Sequence, residues 1–385
     1  MVNISEFDDI RPYNDDELPQ VYEELAVDPT FQKVVGAIFP DTPFEALVEK
    51  MRTCKTKDEF QTAFSYDAVW YFGKFSDGVT LDHSLLPLNK ETAYTYITNH
   101  RDIILDAGFL SVLLMDLGMP CVEIAIGDNL LIYPWIKKFV RINKAFIVQR
   151  APTVHQMLES SACRSQYIHY TIGTKKQSVW IAQREGRAKD SDDRTQESVI
   201  KMLTLGGTGE IIDRLIELNI APVAISYEYD PCDYLKAREY QQKRDSENYK
   251  KTTEEDLLSM QSGLFGYKGK VHFQVTGCIN EELMQLDSSL PKGELFTCIS
   301  ALIDRHIHRN YRLYPGNYIA YDMLNKVKRF AGQYTQEDYQ KFESYIEKQL
   351  DKIDLPNKDI PFLREKMLAM YANPLVNYLS AQQHA

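Results

Sequence analysis

The chain has no uncharged apolar run approaching the ~18 residues that a bilayer span needs, which excludes a polytopic membrane protein. It has no close pair of cysteines either. Cys54, Cys121, Cys163, Cys232, Cys278 and Cys298 are scattered, which excludes a zinc knuckle and a CxxC redox motif and points to a reducing cytoplasm. A basic excess is also missing: 44 Lys plus Arg face 55 Asp plus Glu, a formal charge of −11. A protein that neutralises phosphates along a nucleic acid carries the opposite balance, so no nucleic-acid partner is expected. The N-terminus, Met1 to Asp9, shows neither the basic start nor the apolar run of a signal peptide. No GxSxG elbow exposes a serine nucleophile. Leu205-Gly206-Gly207-Thr208-Gly209 lacks the Lys-Ser/Thr ending of a phosphate loop and reads as a turn between helices. His306-Ile307-His308 has no further ligand at zinc spacing and reads as helix surface, so no metal is expected.

What is present is ordinary for a folded protein. The 385 residues, 44% hydrophobic and 26% charged, have the length of two or three folding units with ample core. Up to about residue 85 the chain reads as capped short helices: Asp28-Pro29 precedes a Phe31, Val34, Val35, Ile38 stripe, and Thr42-Pro43 precedes Phe44, Leu47, Val48, Met51. From 86 to 310 short apolar runs alternate with helical ones. Strands are expected near Tyr94–Thr98, Val122–Ile126, Ala145–Val148, Ser178–Ala182, Pro222–Ser226 and Lys270–Val275, with a helix from Ile103 to Leu117. Such alternation defines an α/β domain with a largely parallel sheet whose functional loops lie at the strand ends. A charged segment from Tyr234 to Lys251 reads as a solvated helix. Residues 311–385 read as a helical extension, with Thr335 capping a Tyr339, Phe342, Ile346, Leu350 stripe.

Three clusters carry chemistry. Asn99-His100-Arg101-Asp102 with Asp106 lies at a strand-to-helix junction. A histidine there suits general-base work, because the ordinary imidazole titrates near neutrality and a carboxylate can fix its tautomer. On one continuous helix His100 and Asp106 would fall about 240° apart, so they meet only if His100 sits in the loop before the helix. Asp102 is the rival partner, and its other reading is the N-cap of that helix. Residues 131–150 contain Lys137, Lys138, Arg141, Lys144 and Arg150 with no acid at all, interleaved with Trp135, Ile136, Phe139 and Phe146. That stretch fits either an anionic membrane surface or an amphipathic helix packed on the sheet with its basic side in water. Finally, Arg184-Glu185-Gly186-Arg187-Ala188-Lys189 follows a strand through a turn that Gly186 permits, where cations can converge on a phosphate.

In order, these clusters resemble the conserved blocks of the glycerolipid acyltransferase superfamily. Asn99-His100-Arg101 with Asp106 is similar to the first block, Phe146 to Arg150 to the second, Glu185-Gly186-Arg187 to the third, and Ala221-Pro222-Val223-Ala224-Ile225 to the fourth. The resemblance spans about residues 90–230. It departs from the pattern twice: five residues rather than four separate His100 from Asp106, and Arg187 follows Gly186 directly. The first leaves Asp106 and Asp102 open as partner, and the second leaves Arg187 and Lys189 open as phosphate ligand. The resemblance implies an O-acyltransferase of phospholipid biosynthesis, cytoplasmic and peripheral on the membrane. It would move a fatty acyl group from acyl-CoA or acyl carrier protein, a substrate rather than a cofactor, to glycerol 3-phosphate or a lysolipid. His100 and Asp106 would be catalytic, and Arg150, Glu185, Gly186, Arg187 and Lys189 would bind the acceptor. The alternatives are the same chemistry on a non-phosphate lipid and a non-catalytic lipid-binding protein.

Overall fold

The structure, a computed structural model, describes residues 4–150 and 153–383. Met1–Asn3, the start of the stretch read for a leader, lie outside them. Along the chain run α1 (Leu18–Ala26), α2 (Pro29–Ile38), α3 (Phe44–Thr53), α4 (Lys57–Phe60), α5 (Tyr66–Gly73), β1 (Val79–Asp82), β2 (Thr95–Thr98), α6 (Leu105–Asp116), β3 (Glu123–Gly127), α7 (Pro134–Ile142), β4 (Ala145–Val148), α8 (Val154–Gly173) and β5 (Val179–Ala182). Then come α9 (Glu197–Leu203), α10 (Ile211–Ile216), β6 (Ile220–Tyr227), α11 (Asp233–Asp245), α12 (Thr253–Phe265), β7 (Val271–Val275), α13 (Asn280–Met284), α14 (Lys292–Arg309), α15 (Pro315–Asn325), α16 (Gln336–Asp351) and α17 (Ile360–Gln383).

The seven strands form one sheet in the order β1-β7-β6-β2-β5-β3-β4. β6, β2, β5, β3 and β4 are parallel, whereas β7 runs antiparallel to β6 and carries β1 parallel to itself. Successive side chains alternate between two cores. Ile97, Val179, Ile181, Ile220 and Ala224 face one, while Tyr96, Trp180, Val223, Ile225 and Phe273 face the other. A fully buried Val, Ile or Phe among them contributes about 1.5–3 kcal/mol. α6 lies in the second core and is buried nearly all round, through Leu105, Phe109, Leu110, Val112 and Leu114. No helix among the described residues is long and apolar enough to cross a membrane.

Four sequence expectations change. β1 lies within the stretch read as helical: its four residues are half-buried or exposed at a sheet edge, so they carry little apolar signal. Thr42 does not cap α3; Pro43 occupies that position. α11 is not a solvated helix, because Leu235, Lys236, Ala237, Glu239 and Gln241 are buried and its charges are partnered internally. His308 is likewise buried, its Nε2 lying 2.7 Å from the Asp193 carbonyl.

Of the two readings of the basic stretch 131–150, the structure keeps the packed amphipathic helix and changes what it packs against. Trp135, Phe139 and Ile142 pack into the core of the N-terminal helices beside Phe31 and Phe60. Lys138 pairs with Glu24 at 2.9 Å, Lys144 is buried and pairs with Asp58 at 2.5 Å, and Arg150 pairs with Glu185 at 2.6 Å. Arg141 is buried, donates to the carbonyls of Asp8 and Arg11 at 2.8 Å, and lies over the Tyr13 ring. The stretch is therefore an amphipathic helix and its flanks, packed mainly on the N-terminal helices and with most of its charge neutralised, and not a free basic face.

Candidate active site

β2 is where the connections of the parallel strands diverge: β5, β3 and β4 lie on one side of it and β6 on the other. A crevice forms at the carboxyl end of such a strand because the loops leaving it and its neighbour turn in opposite directions. His100 stands two residues past Thr98, the last residue of β2. The loop is held on both sides of it. The Asn99 side chain pairs with the backbone of Ile225, donating from Nδ2 to its carbonyl at 2.9 Å and accepting from its N–H at 2.8 Å. Arg101 forms a buried fork with Asp193, at 3.0 and 2.6 Å, and Asp193 accepts a further bond from Tyr311 Oη. Removing either member would leave an uncompensated buried charge, so this fork fixes the loop strongly.

The turn brings His100 and Asp106 together. His100 Nδ1 lies 2.8 Å from Asp106 Oδ2, which also accepts the backbone N–H groups of Arg101 at 2.6 Å and Asp102 at 3.0 Å. Asp106 is in the first turn of α6, where the helix dipole favours a negative charge. Its side chain has no exposed surface, whereas that of His100 is 12% exposed. Asp102 does not compete for the imidazole. Its Oδ1 accepts the N–H groups of Ile104 at 2.9 Å and Leu105 at 2.7 Å, the role of a helix cap. Burial, and then the charge of Asp106, push the Asp102 carboxyl above its ordinary pKa. Trp180 presents its ring to His100 edge to face, with centroids 5.7 Å apart. With Nδ1 engaged, Nε2 is the imidazole nitrogen left to exchange a proton, and the described residues offer it no hydrogen-bond partner.

The proposed acceptor-binding residues follow the carboxyl ends of β4 and β5 but do not form one cluster of free cations. Arg150 and Glu185 pair with each other at an exposed position, their side chains 59% and 74% exposed. Lys189 pairs with Glu239, which also holds Lys243 at 2.9 Å. Burial pushes the Lys189 ammonium down to about 8. Gly186 has φ +67, the left-handed conformation that a residue without Cβ adopts freely. Arg187 differs from Arg150 and Lys189, since its Nη1 is buried without a hydrogen-bond partner among the described residues. Burial opposes its charge, but Cys232, Asp230 and Asp102 more than compensate and leave its pKa above the ordinary value. Sequence reasoning placed Arg101 in the candidate cluster without a role of its own, and it missed what Asp193 and Trp180 do. The only local sign was the adjacency of Arg101 to His100, because Asp193 and Trp180 join the site through the fold.

No family model and no curated protein matches the chain. Among solved structures it is similar to the 1-acyl-sn-glycerophosphate (LPA) acyltransferase PlsC from Thermotoga maritima, at 11% identity and a TM-score of 0.37, over 76% of this chain and 94% of that one. A likeness of that degree leaves the function to the chemistry of the site.

Proposed function

We propose that the protein is an O-acyltransferase that moves a fatty acyl group from acyl-CoA or acyl carrier protein to a hydroxyl of glycerol 3-phosphate or lysophosphatidate. The observation that carries this reading is the 2.8 Å contact between His100 Nδ1 and Asp106 Oδ2 at the carboxyl end of β2. A carboxylate there holds the imidazole with Nε2 ready to accept a proton and stabilises the imidazolium that results. His100 takes the acceptor's hydroxyl proton as its oxygen attacks the thioester carbonyl. The tetrahedral intermediate then collapses, the C–S bond breaks, and the imidazolium returns the proton to the departing thiolate. The transfer calls on no cofactor or metal. General-base help of this kind contributes about 100- to 10,000-fold in rate. The acceptor would be met at the cytoplasmic membrane surface because a lysolipid resides there, although residues 131–150 no longer argue for that contact.

The test is consumption of a long-chain acyl thioester by purified protein over a panel of acceptors, with His100→Ala as the decisive variant. Loss of turnover with folding intact is expected, and retained turnover would sink the mechanism. A second reading, the same chemistry on a non-phosphate lipid, is favoured by the pairing of Arg150 with Glu185 and of Lys189 with Glu239. A panel that responds to neutral lipid alcohols and not to phosphate-bearing ones would select it.

A further inference from the structure

Asp106 uses one carboxylate oxygen for three donors, and its other oxygen, Oδ1, is buried without a hydrogen-bond partner among the described residues. A fully buried carboxylate oxygen left unpaired is costly, which raises the question of what faces it. The fold supplies an answer from β6. The Asn99 side chain clamps the backbone of Ile225, and two residues further along the same strand, on the same face, stands Tyr227. Tyr227 is 8% exposed, and its hydroxyl is a second buried polar atom without a hydrogen-bond partner among the described residues.

We propose that Tyr227 is a positioning residue for the His100–Asp106 pair: its phenol donates to the free oxygen of Asp106 and so limits how much negative charge that carboxylate directs at His100. This assignment rests on the proposed reaction only for its catalytic meaning, since the coupling itself is a property of the folded protein. The phenol's surroundings agree. Burial pushes its pKa well above the ordinary value, and the charges of Asp106 and Asp102 push it further. Tyr227 therefore stays a protonated donor throughout the range in which an imidazole titrates. Arg101, Asp102, Arg187, Asp193, Asp230, Cys232, Lys268 and Tyr311 are the other charged or titratable groups around this turn and its neighbouring loops. Replacing the phenol leaves all of them in place.

The experiment is a ¹³C-histidine titration followed by NMR, with the His100 signal assigned by its loss in His100→Ala. In Tyr227→Phe, Asp106 loses a donor and holds the imidazolium more strongly, so the His100 midpoint rises by about half a pH unit or more. The acidic limb of the kcat/KM profile then moves by the same amount. An unmoved or lowered midpoint in a folded Tyr227→Phe protein overturns the proposal. Should that variant not fold, Asp106→Asn is read through the ¹³Cζ signal of Tyr227: displacement supports the contact, and an unchanged signal overturns it. Retained transfer by His100→Ala would remove the proposed reaction without touching the coupling, whereas an inactive His100→Ala beside an unmoved midpoint would remove the coupling alone.

Discussion

Replacing Asp106 with asparagine removes one charge and almost no volume, which makes it the sharpest test of the proposed chemistry. Oδ2 of Asp106 accepts from His100 Nδ1, from the Arg101 amide and from the Asp102 amide. An asparagine carbonyl turned to the two amides preserves the turn but ends charge stabilisation of the imidazolium. A hydrogen bond to a charged group is worth about 1.5–3 kcal/mol. At about 1.4 kcal/mol per tenfold, losing it from the transition state slows turnover by roughly 10- to 100-fold. If the asparagine NH₂ instead faces Nδ1, it imposes the tautomer with the proton on Nε2, and the loss approaches about 10,000-fold. Asp102→Asn is the matched control, because asparagine caps a helix as well as aspartate does. It should keep turnover within about threefold of wild type, while Asp102→Ala costs about 0.5–2 kcal/mol of stability. Thiol release from acyl-CoA measures the rates, and urea unfolding measures the stabilities. An Asp106→Asn protein with wild-type turnover, or an Asp102→Asn protein as impaired as Asp106→Asn, would refute the assignment of partner and cap.

The acceptor's charge is read by two further variants. Arg187→Gln should raise KM for a phosphate-bearing acceptor about 10- to 100-fold, the worth of one charge-assisted bond, and Lys189→Met should raise it far less because Glu239 already holds that ammonium; equal penalties would contradict the distinction. Burial, with Asp230 adding, holds Asp233 up at about 7, so the folded state keeps a proton that the unfolded chain releases near pH 4. Stability from this group therefore falls as pH rises from about 4 to about 7 and is level above, by up to roughly 1 kcal/mol per pH unit. Asp233→Asn should gain on wild type between about pH 5 and about pH 7 in urea unfolding, and a constant gap would exclude the linkage. Arg141→Ala should cost about 2 kcal/mol in urea unfolding through the two carbonyls it leaves unpaired, and it should not change anionic-vesicle binding. A large loss of vesicle binding in the folded variant would restore the basic stretch as a membrane face.

The sheet was largely legible because strands buried on both faces must be apolar through their whole length. β4 falls on the residues expected, Ala145–Val148, and β2, β3, β5, β6 and β7 differ from expectation by a residue or two at their ends. β1 was not, since Val79–Asp82 lies at an edge with no residue fully buried. The turn from Thr98 to Asp106 was legible as a candidate because its residues and their order are local. Which aspartate meets the imidazole was not, because one extra residue can be absorbed by the loop or by the helix. Here the loop absorbs it: Asp102 caps the start of α6, and Asp106 reaches back past it to His100.

Charge was the least legible property, and the reason is geometric. Lys144 finds Asp58 86 residues away, Arg150 finds Glu185 35 away, and Lys189 finds Glu239 50 away. No window of sequence contains those pairs, so a run of cations with no intervening acid says nothing about the field it makes. What remains after the pairing is a different pattern from the one the run advertised. Of the three cations expected at the acceptor, Arg187 alone has a buried nitrogen without a partner, and it stands among Asp102, Asp230 and Cys232 rather than opposite one acid. A guanidinium buried without a dedicated counter-ion is the arrangement that gains most from an arriving anion, because the ligand supplies the missing partner in a place where water screens it least. The acceptor's charge should therefore be sensed through Arg187, whatever the local abundance of lysine and arginine.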